Sequence, residues 1–418
     1  LRLNGWRNRA VVSAGFVCLL MLGCARSTAP PPLWVWLDGG LFTSSSAREA
    51  LEAAIDSAAA AGATGVVVEV KSCTGETFVP AASFPAAPEV PSDGADLLQL
   101  AAARARQHGL KLAAGVQTFF GGNVGQRRGI AFAGLSDWCV TRLTEAGLLR
   151  DTENASLRWV RLSPAVEAAR KAELQFLDEI LGRDEVEGAW LVGVEFPDVW
   201  SDFGLNARRA FEGWLGMELR SWPGDVCSRE ASGAMRAGPY LRQWLLWRCA
   251  VIRDFVAEAQ GLASSHHPGK WVGVIVGGWL PRGYEQGVNW ARPGYDHRNR
   301  WLAADYSQTT LATTGAKLGI GMFFAAVTED EARKSTRIPE EAGFDPGWLS
   351  VEGCSRRARD VLGAEGGEQA FAVLHLGHYA GNWRQAERAV RAVRGFAGLL
   401  IFDATQLNAE RWWSRLRP

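Results

Sequence analysis

Short apolar runs alternate with amphipathic, helix-patterned stretches along almost the whole chain, and Gly, Pro or polar turns separate them. The runs fall at residues 33–38 (LWVWLD), 65–71 (GVVVEVK), 110–117 (LKLAAGVQ), 188–196 (GAWLVGVEF), 271–279 (WVGVIVGGW), 318–324 (LGIGMFF), 370–376 (AFAVLHL) and 396–403 (FAGLLIFD). Helices are predicted between them at 46–62, 93–108, 163–182, 206–215, 239–260, 300–314, 350–362 and 383–393. Their ends carry the expected signals: Ser46 with Glu49 as a capping box, Ser163 and Pro164 at a first turn, and Gly62, Gly109 and Gly216 as stops. Residues 118–161 are long for a structureless connection, which predicts that the segment is functional or hides a helix near 136–146. Strands that are apolar on both faces and alternate with helices predict an α/β protein, a (β/α)8 (TIM) barrel forming one domain over residues 33–418. An open doubly wound sheet is the alternative, but no GxGxxG follows the first run.

In such a barrel the chemistry sits where strands end, so the residues closing each run are the candidates. They are Asp38, Glu69, Lys71, Gln117, Glu195, Asp198, Trp279, His378 and Asp403. Glu69 and Lys71, two apart on a strand, are expected on one face. Carboxylates converging from separate strands suit glycoside hydrolysis, in which one carboxylic acid protonates the leaving oxygen and a second acts as nucleophile or base. Glu195, at the end of the central run before Pro197, is the leading catalytic candidate, with Glu69 or Asp198 as partner.

Composition alters this picture at a few points. Lys plus Arg and Asp plus Glu number 45 each, so no global field favours nucleic acid. Tryptophan, at 19 residues, is abundant. Trp279 and Trp290, in the stretch after the fifth run, are candidates for stacking on a sugar ring, with Asn289 beside them as a polar contact. Trp36, Trp190, Trp214, Trp244 and Trp247 lie inside strand or helix patterns and read as core.

The first 24 residues read as an export signal: Arg2, Arg7 and Arg9, an apolar run at 10–23 too short to span a membrane, then Cys24. MLGC resembles a lipoprotein signal in which Cys24 is acylated, giving a membrane anchor at the cell envelope, with residues 25–32 as a linker. A plain signal peptide cut within that linker is the other reading. Five further cysteines (Cys73, Cys139, Cys227, Cys249, Cys354) form no metal spacing, and Cys249 reads as a buried hydrophobe. Being odd in number they cannot all pair, although one disulfide fits an oxidising compartment.

Histidine pairs occur at His266/His267 and His375/His378, the latter expected on opposite faces of a strand. Neither pair has HExxH spacing or a third ligand in the sequence, so no metal and no cofactor are expected. No nucleophile elbow or P-loop is present.

A family resemblance emerges from VEVKSCTGE, GLKLAAGVQTFFGG, LSPAVEAARKAELQFLDEIL, SDFGLNARRAFEGWLG, GGWLPRGYEQGVNWA and LLIFDATQL, in that order. Together these resemble bacterial family 10 glycosyl-hydrolase-like proteins, relatives of alpha-amylases that are often exported lipoproteins. The resemblance implies a barrel acting on oligo- or polysaccharide, with an Asp-Gly-apolar-x-Leu-Asp-Arg-x-Arg-Tyr segment at the fourth strand whose second Asp is the presumed nucleophile. Here residues 187–196 read EGAWLVGVEF, placing Val192 at the nucleophile and Gly193 and Glu195 at the two arginines. Valine neither forms a glycosyl intermediate nor accepts a proton. Two readings follow: a hydrolase using Glu195 with Glu69 or Asp198, and a surface lipoprotein that binds carbohydrate without turnover. Asp38, Lys71, Gln117, Trp279, Asn289, Trp290 and Asp403 are the expected substrate contacts in both. A structural envelope barrel with no ligand is the third reading.

Overall fold

A computed structural model describes residues 31–42, 46–90, 96–335 and 344–416. The export signal with Cys24 and nearly all of the linker lie outside them. Eight parallel strands close into a barrel: β1 (Leu33–Leu37), β2 (Gly65–Lys71), β3 (Lys111–Gln117), β4 (Gly188–Val192), β5 (Trp271–Gly277), β6 (Lys317–Gly321), β7 (Phe371–His375) and β8 (Gly398–Phe402). Each pairs with its sequence neighbours, and β8 closes on β1 through Leu33 opposite Leu399. Because every pair is parallel, all eight C-terminal ends open on one mouth.

The helices packed outside are α1 (Ala47–Ala60), α2 (Leu97–Gln107), α3 (Glu167–Leu181), α4 (Leu205–Leu215), α5 (Leu241–His266), α6 (Glu329–Ser335), α7 (Val351–Gln369), α8 (Trp383–Ala392) and α9 (Ala404–Glu410). Asp96 caps α2, its carboxylate accepting from the amides of Leu98 and Gln99. One apolar cluster fills the space between strands and helices.

A second, separate cluster fills the lumen: Trp34, Trp36, Val67, Ala113, Trp190, Ile275, Val373 and Leu400. Indole rings fit there because facing positions are glycine. A Cβ on Gly115 would lie 2.4 Å from the Trp36 ring, one on Gly273 2.5 Å from Trp190, and one on Gly398 2.3 Å from Phe371. Gly115→Ala is therefore expected to cost about 1–3 kcal/mol by overpacking, read as a lowered denaturant midpoint with an unchanged slope.

Three sequence expectations are overturned. Residues 136–146 form no helix: a 3₁₀ turn at Ser136–Trp138 leads into an antiparallel hairpin of Thr141–Thr144 with Gly147–Arg150. The turn at Glu145 and Gly147 (φ 109°) closes the hairpin where the apolar spacing suggested a helix. Residues 300–314 hold only 3₁₀ turns at Tyr306–Thr309 and Leu311–Thr313, where threonine hydroxyls bond neighbouring carbonyls instead of continuing a helix. The five described cysteines are free, and four of them are buried.

Candidate functional site

The mouth is built from the last residue of each strand and the loops that follow. Glu69 ends the lumen-facing row of β2 and is buried there. Its Oε2 accepts from Trp36 Nε1 at 3.0 Å and more weakly from Gln117 Nε2 at 3.4 Å. Burial, reinforced by the charges of Asp38 and Asp403, pushes its carboxyl up to about 7. Asp403 follows β8, and burial together with the charge of Asp38 pushes it up to about 6. One of its oxygens caps α9 through the Gln406 amide at 2.9 Å. Asp38, after β1, accepts from the amide and hydroxyl of Thr405 and the amide of Gly40. Three acids from the adjacent strands β8, β1 and β2 thus form one electrostatically coupled group. The Trp36 ring lies among them, stacked on Phe402 at 4.4 Å while its N–H holds Glu69.

The opposite wall belongs to β4 and the excursion between β3 and β4. Gly193 (φ 77°) turns the chain immediately after Val192, so β4 ends three residues short of Glu195. The sequence reading extended this strand to residue 196, because the apolar pattern continues through a segment whose amide at Phe196 is bonded by Gln286 O instead of a neighbouring strand. Val192, half-buried, packs against the lumen cluster at the mouth.

Arg161, which sequence reasoning missed, arrives from an antiparallel pairing of Phe120–Asn123 with Trp159–Arg161. Its guanidinium donates to the carbonyls of Gly193 at 2.6 Å and Glu195 at 3.2 Å, and lies 3.8 Å from Glu195 Oε1. It also stacks over Phe120 at 4.1 Å. A Cβ at position 193 would come within 3.2 Å of Arg161 Nη2. A cation carried by the segment Trp159–Arg161 thus stands beside Gly193 and Glu195. Burial raises the Glu195 carboxyl and Arg161 draws it down, with burial the larger influence. Only knowledge of how residues 120–123 and 159–161 pair would have revealed this contact.

Several candidates lie elsewhere. A bulge between Glu69 and Lys71 breaks the two-residue alternation, so Lys71 turns out of the barrel. Fully buried, Lys71 binds Glu173 on α3 at 2.8 Å and Gln117 O at 3.0 Å, which makes it a wall fastening and not a substrate contact. Asp198 pairs with Arg142, which also holds the buried Asp151, and its backbone oxygen accepts from Arg248 at 2.7 Å; this network fixes the loop after β4. Asn289 is buried, its side chain bonding Tyr306 O and the Ala291 amide. Trp290 is 1% exposed and donates to Gly277 O, so it packs behind β5 and presents no face to a sugar. Trp279 remains partly exposed at the rim, held by Gln286 at 2.5 Å. His375 and His378, expected apart, come together with ring centroids 5.2 Å apart, because β7 ends at His375 and a 3₁₀ turn follows. His375 also faces Phe323 across 6.3 Å. Burial pushes the Cys73 thiol near Glu69 up to about 12, so it is no nucleophile at neutral pH.

The closed sheet of eight parallel strands and the helices around it define an α/β protein of the (β/α)8 (TIM) barrel class. Solved structures similar to it include the PgaB (BpsB) glycoside hydrolase domain from Bordetella bronchiseptica, at TM-score 0.61 and 13% identity over 93% of this chain and 98% of that one. Alpha-L-fucosidase isoenzyme 2 from Paenibacillus thiaminolyticus matches at TM-score 0.55 and 10% identity, over 92% of this chain and 48% of that one. A beta-galactosidase from Marinomonas ef1 matches at 0.54 and 11%, over 89% and 54%. These likenesses establish the fold. No protein-family model matches the chain. In sequence it is similar to an S-layer-related protein of Niallia circulans, 25% identical over 277 residues, which is 60% of this chain and 17% of that protein. The chain thus spans well under a fifth of the relative's length in that match.

Proposed function

We propose that the protein is an exported, carbohydrate-acting barrel that hydrolyses glycosidic bonds, with Glu69 as general acid and Asp403 as the facing base or nucleophile. The observation that carries this reading is Glu69. A carboxyl pushed up to about 7 at a barrel mouth still carries its proton in about half of the molecules at neutral pH, and in more of them below it, as protonation of a leaving oxygen requires. Asp403, two strands away and pushed up less, ionises first and supplies the second carboxylate. Asp38 is fully engaged at the start of α9 and holds that geometry. Gln117 fixes Glu69, and the partly exposed Phe402, Phe323 and Trp279 supply the apolar faces on which sugar rings stack, with Trp36 buried behind Phe402. Glu195, tied to Arg161, is assigned to substrate positioning, which departs from the leading role its sequence position suggested. The test is release of reducing ends from a panel of bacterial and plant polysaccharides, comparing wild type with Glu69→Gln, Asp403→Asn and Glu195→Gln. The first two should lose about 100-fold or more, and Glu195→Gln should chiefly raise KM.

Val192 favours a second reading, a binding protein without turnover, because no carboxylate from β4 reaches the lumen. Wild type would then be silent on every glycan, and Trp279→Ala would weaken glycan retention in affinity electrophoresis. On either reading the N-terminal arginines, apolar run and Cys24 support export and lipid anchoring. Cys24→Ser is expected to move the protein from the membrane fraction to the soluble one, since the acyl chains provide the hold. Unchanged membrane association would exclude the lipid anchor.

A further inference from the structure

In this architecture each helix runs back toward the start of the next strand, so the ends of α3 and α5 lie on the face opposite the mouth. There α5 stops at His266, and His267 leaves helical geometry (φ −131°, ψ 65°). Neighbours in a helix diverge by about 100° around its axis. The exit at His267 instead brings both imidazoles against one residue of α3. His266 Nδ1 lies 3.1 Å and His267 Nε2 2.8 Å from the same oxygen, Asp178 Oδ1. The three atoms all lie within 4.8 Å of one another.

We propose that Asp178, His266 and His267 bind a divalent transition-metal ion, zinc by preference, which ties the end of α3 to the end of α5. Two imidazole nitrogens and one carboxylate oxygen are the donor set of zinc and its neighbours, not of magnesium or calcium. Ligand atoms about 2.0–2.1 Å from a tetrahedral ion stand about 3.3 Å from one another. The present nitrogen-to-oxygen spacings therefore need to open by only a few tenths of an ångström. The metal would take the place of the hydrogen bonds between the two rings and the carboxylate.

Parts of the site are already held. His267 is 17% exposed, with its ring edge beside Gly182, where a Cβ would sit 3.6 Å from Cε1. Lys270 donates to the carbonyls of Leu181 and Arg183, fixing the chain around the end of α3 while its ammonium is spent on them. Asp178 at 42% and His266 at 59% face solvent, which leaves the remaining coordination position to water. Sequence alone did not show this site, because Asp178 stands 88 residues before His266.

The position, on the stability face of the barrel and remote from Glu69, means that zinc should act on unfolding and not on turnover. The test uses tag-free protein stripped with a chelator and then titrated with zinc chloride by calorimetry and thermal unfolding near neutral pH. One ion should bind per chain and raise Tm in a concentration-dependent way. Asp178→Asn and His267→Ala should each weaken binding about 10- to 100-fold and remove the Tm rise. His375→Ala with His378→Ala, altering the pair at the mouth, should leave both intact. Absence of heat and Tm shift at millimolar zinc overturns the proposal, as does binding that survives the first two substitutions and disappears with the last. Circular dichroism of the two surface variants separates a lost ligand from a lost fold.

Discussion

Glu69→Gln is expected to make the protein more stable at about pH 8 while removing its turnover. The native carboxyl, pushed from an ordinary 4.5 up to about 7, binds its proton more tightly folded than unfolded. Below about 4.5 both states are protonated and the shift has no effect. As pH rises from there, the unfolded chain ionises first, so folding loses stability until the native group also ionises near 7, and the full penalty applies above that. At 1.36 kcal/mol per pKa unit the penalty reaches about 3 kcal/mol. Glutamine keeps an oxygen for the Trp36 N–H and carries no charge to bury, so the variant should match wild type near pH 4 and exceed it by up to that amount at about pH 8. Urea melts at the two pH values measure this directly. Loss of turnover together with gain of stability is the pattern of a group held in place for chemistry at the expense of the fold. A variant that hydrolyses as fast as wild type would move the acid role away from Glu69, and one less stable at both pH values would mean that the carboxylate is structural.

The barrel was legible because its signal is repeated eight times and depends only on apolar periodicity and turn residues. Glu69, Gln117 and Asp403 were legible for the same reason, since a residue ending a strand must stand at the mouth. What was lost involves pairing and packing at long range. The bulge that turns Lys71 outward leaves no mark in GVVVEVK, and Lys71 there reads like any strand-end cation. Asn289 and Trp290 follow the fifth strand as loop-borne ligand groups would, yet the chain folds back and buries both. Arg161 depends on an antiparallel pairing across residues 120–161, a contact that local pattern does not encode. The resemblance to family 10 glycosyl-hydrolase-like proteins pointed to positions 187–196, where Val192 stands at the expected nucleophile. In the structure the acids that remain close together belong to β8, β1 and β2 instead.

Lys71→Met should cost about 3–5 kcal/mol, a large fraction of the 5–15 kcal/mol that holds a domain folded. Burial draws the Lys71 ammonium below its usual value, and the attraction of Glu173 opposes this. Both side chains are 0–1% exposed, so neither finds water if the other is removed. Glu173 Oε1 would keep its bond from the Phe119 amide at 2.9 Å, but its charge would be uncompensated, and Oε2 already lacks a partner. The same ammonium fastens Gln117 O at the end of β3, next to the residue that steadies Glu69. The double variant Lys71→Met with Glu173→Leu takes out both charges and should recover most of the loss, because an apolar pair of similar volume does as well as a buried ion pair. Thermal and denaturant unfolding of the two single variants and the double variant form the cycle that measures this coupling. If Lys71 instead contacts substrate, Lys71→Met will unfold like wild type and lose ligand binding, and the double variant will recover nothing.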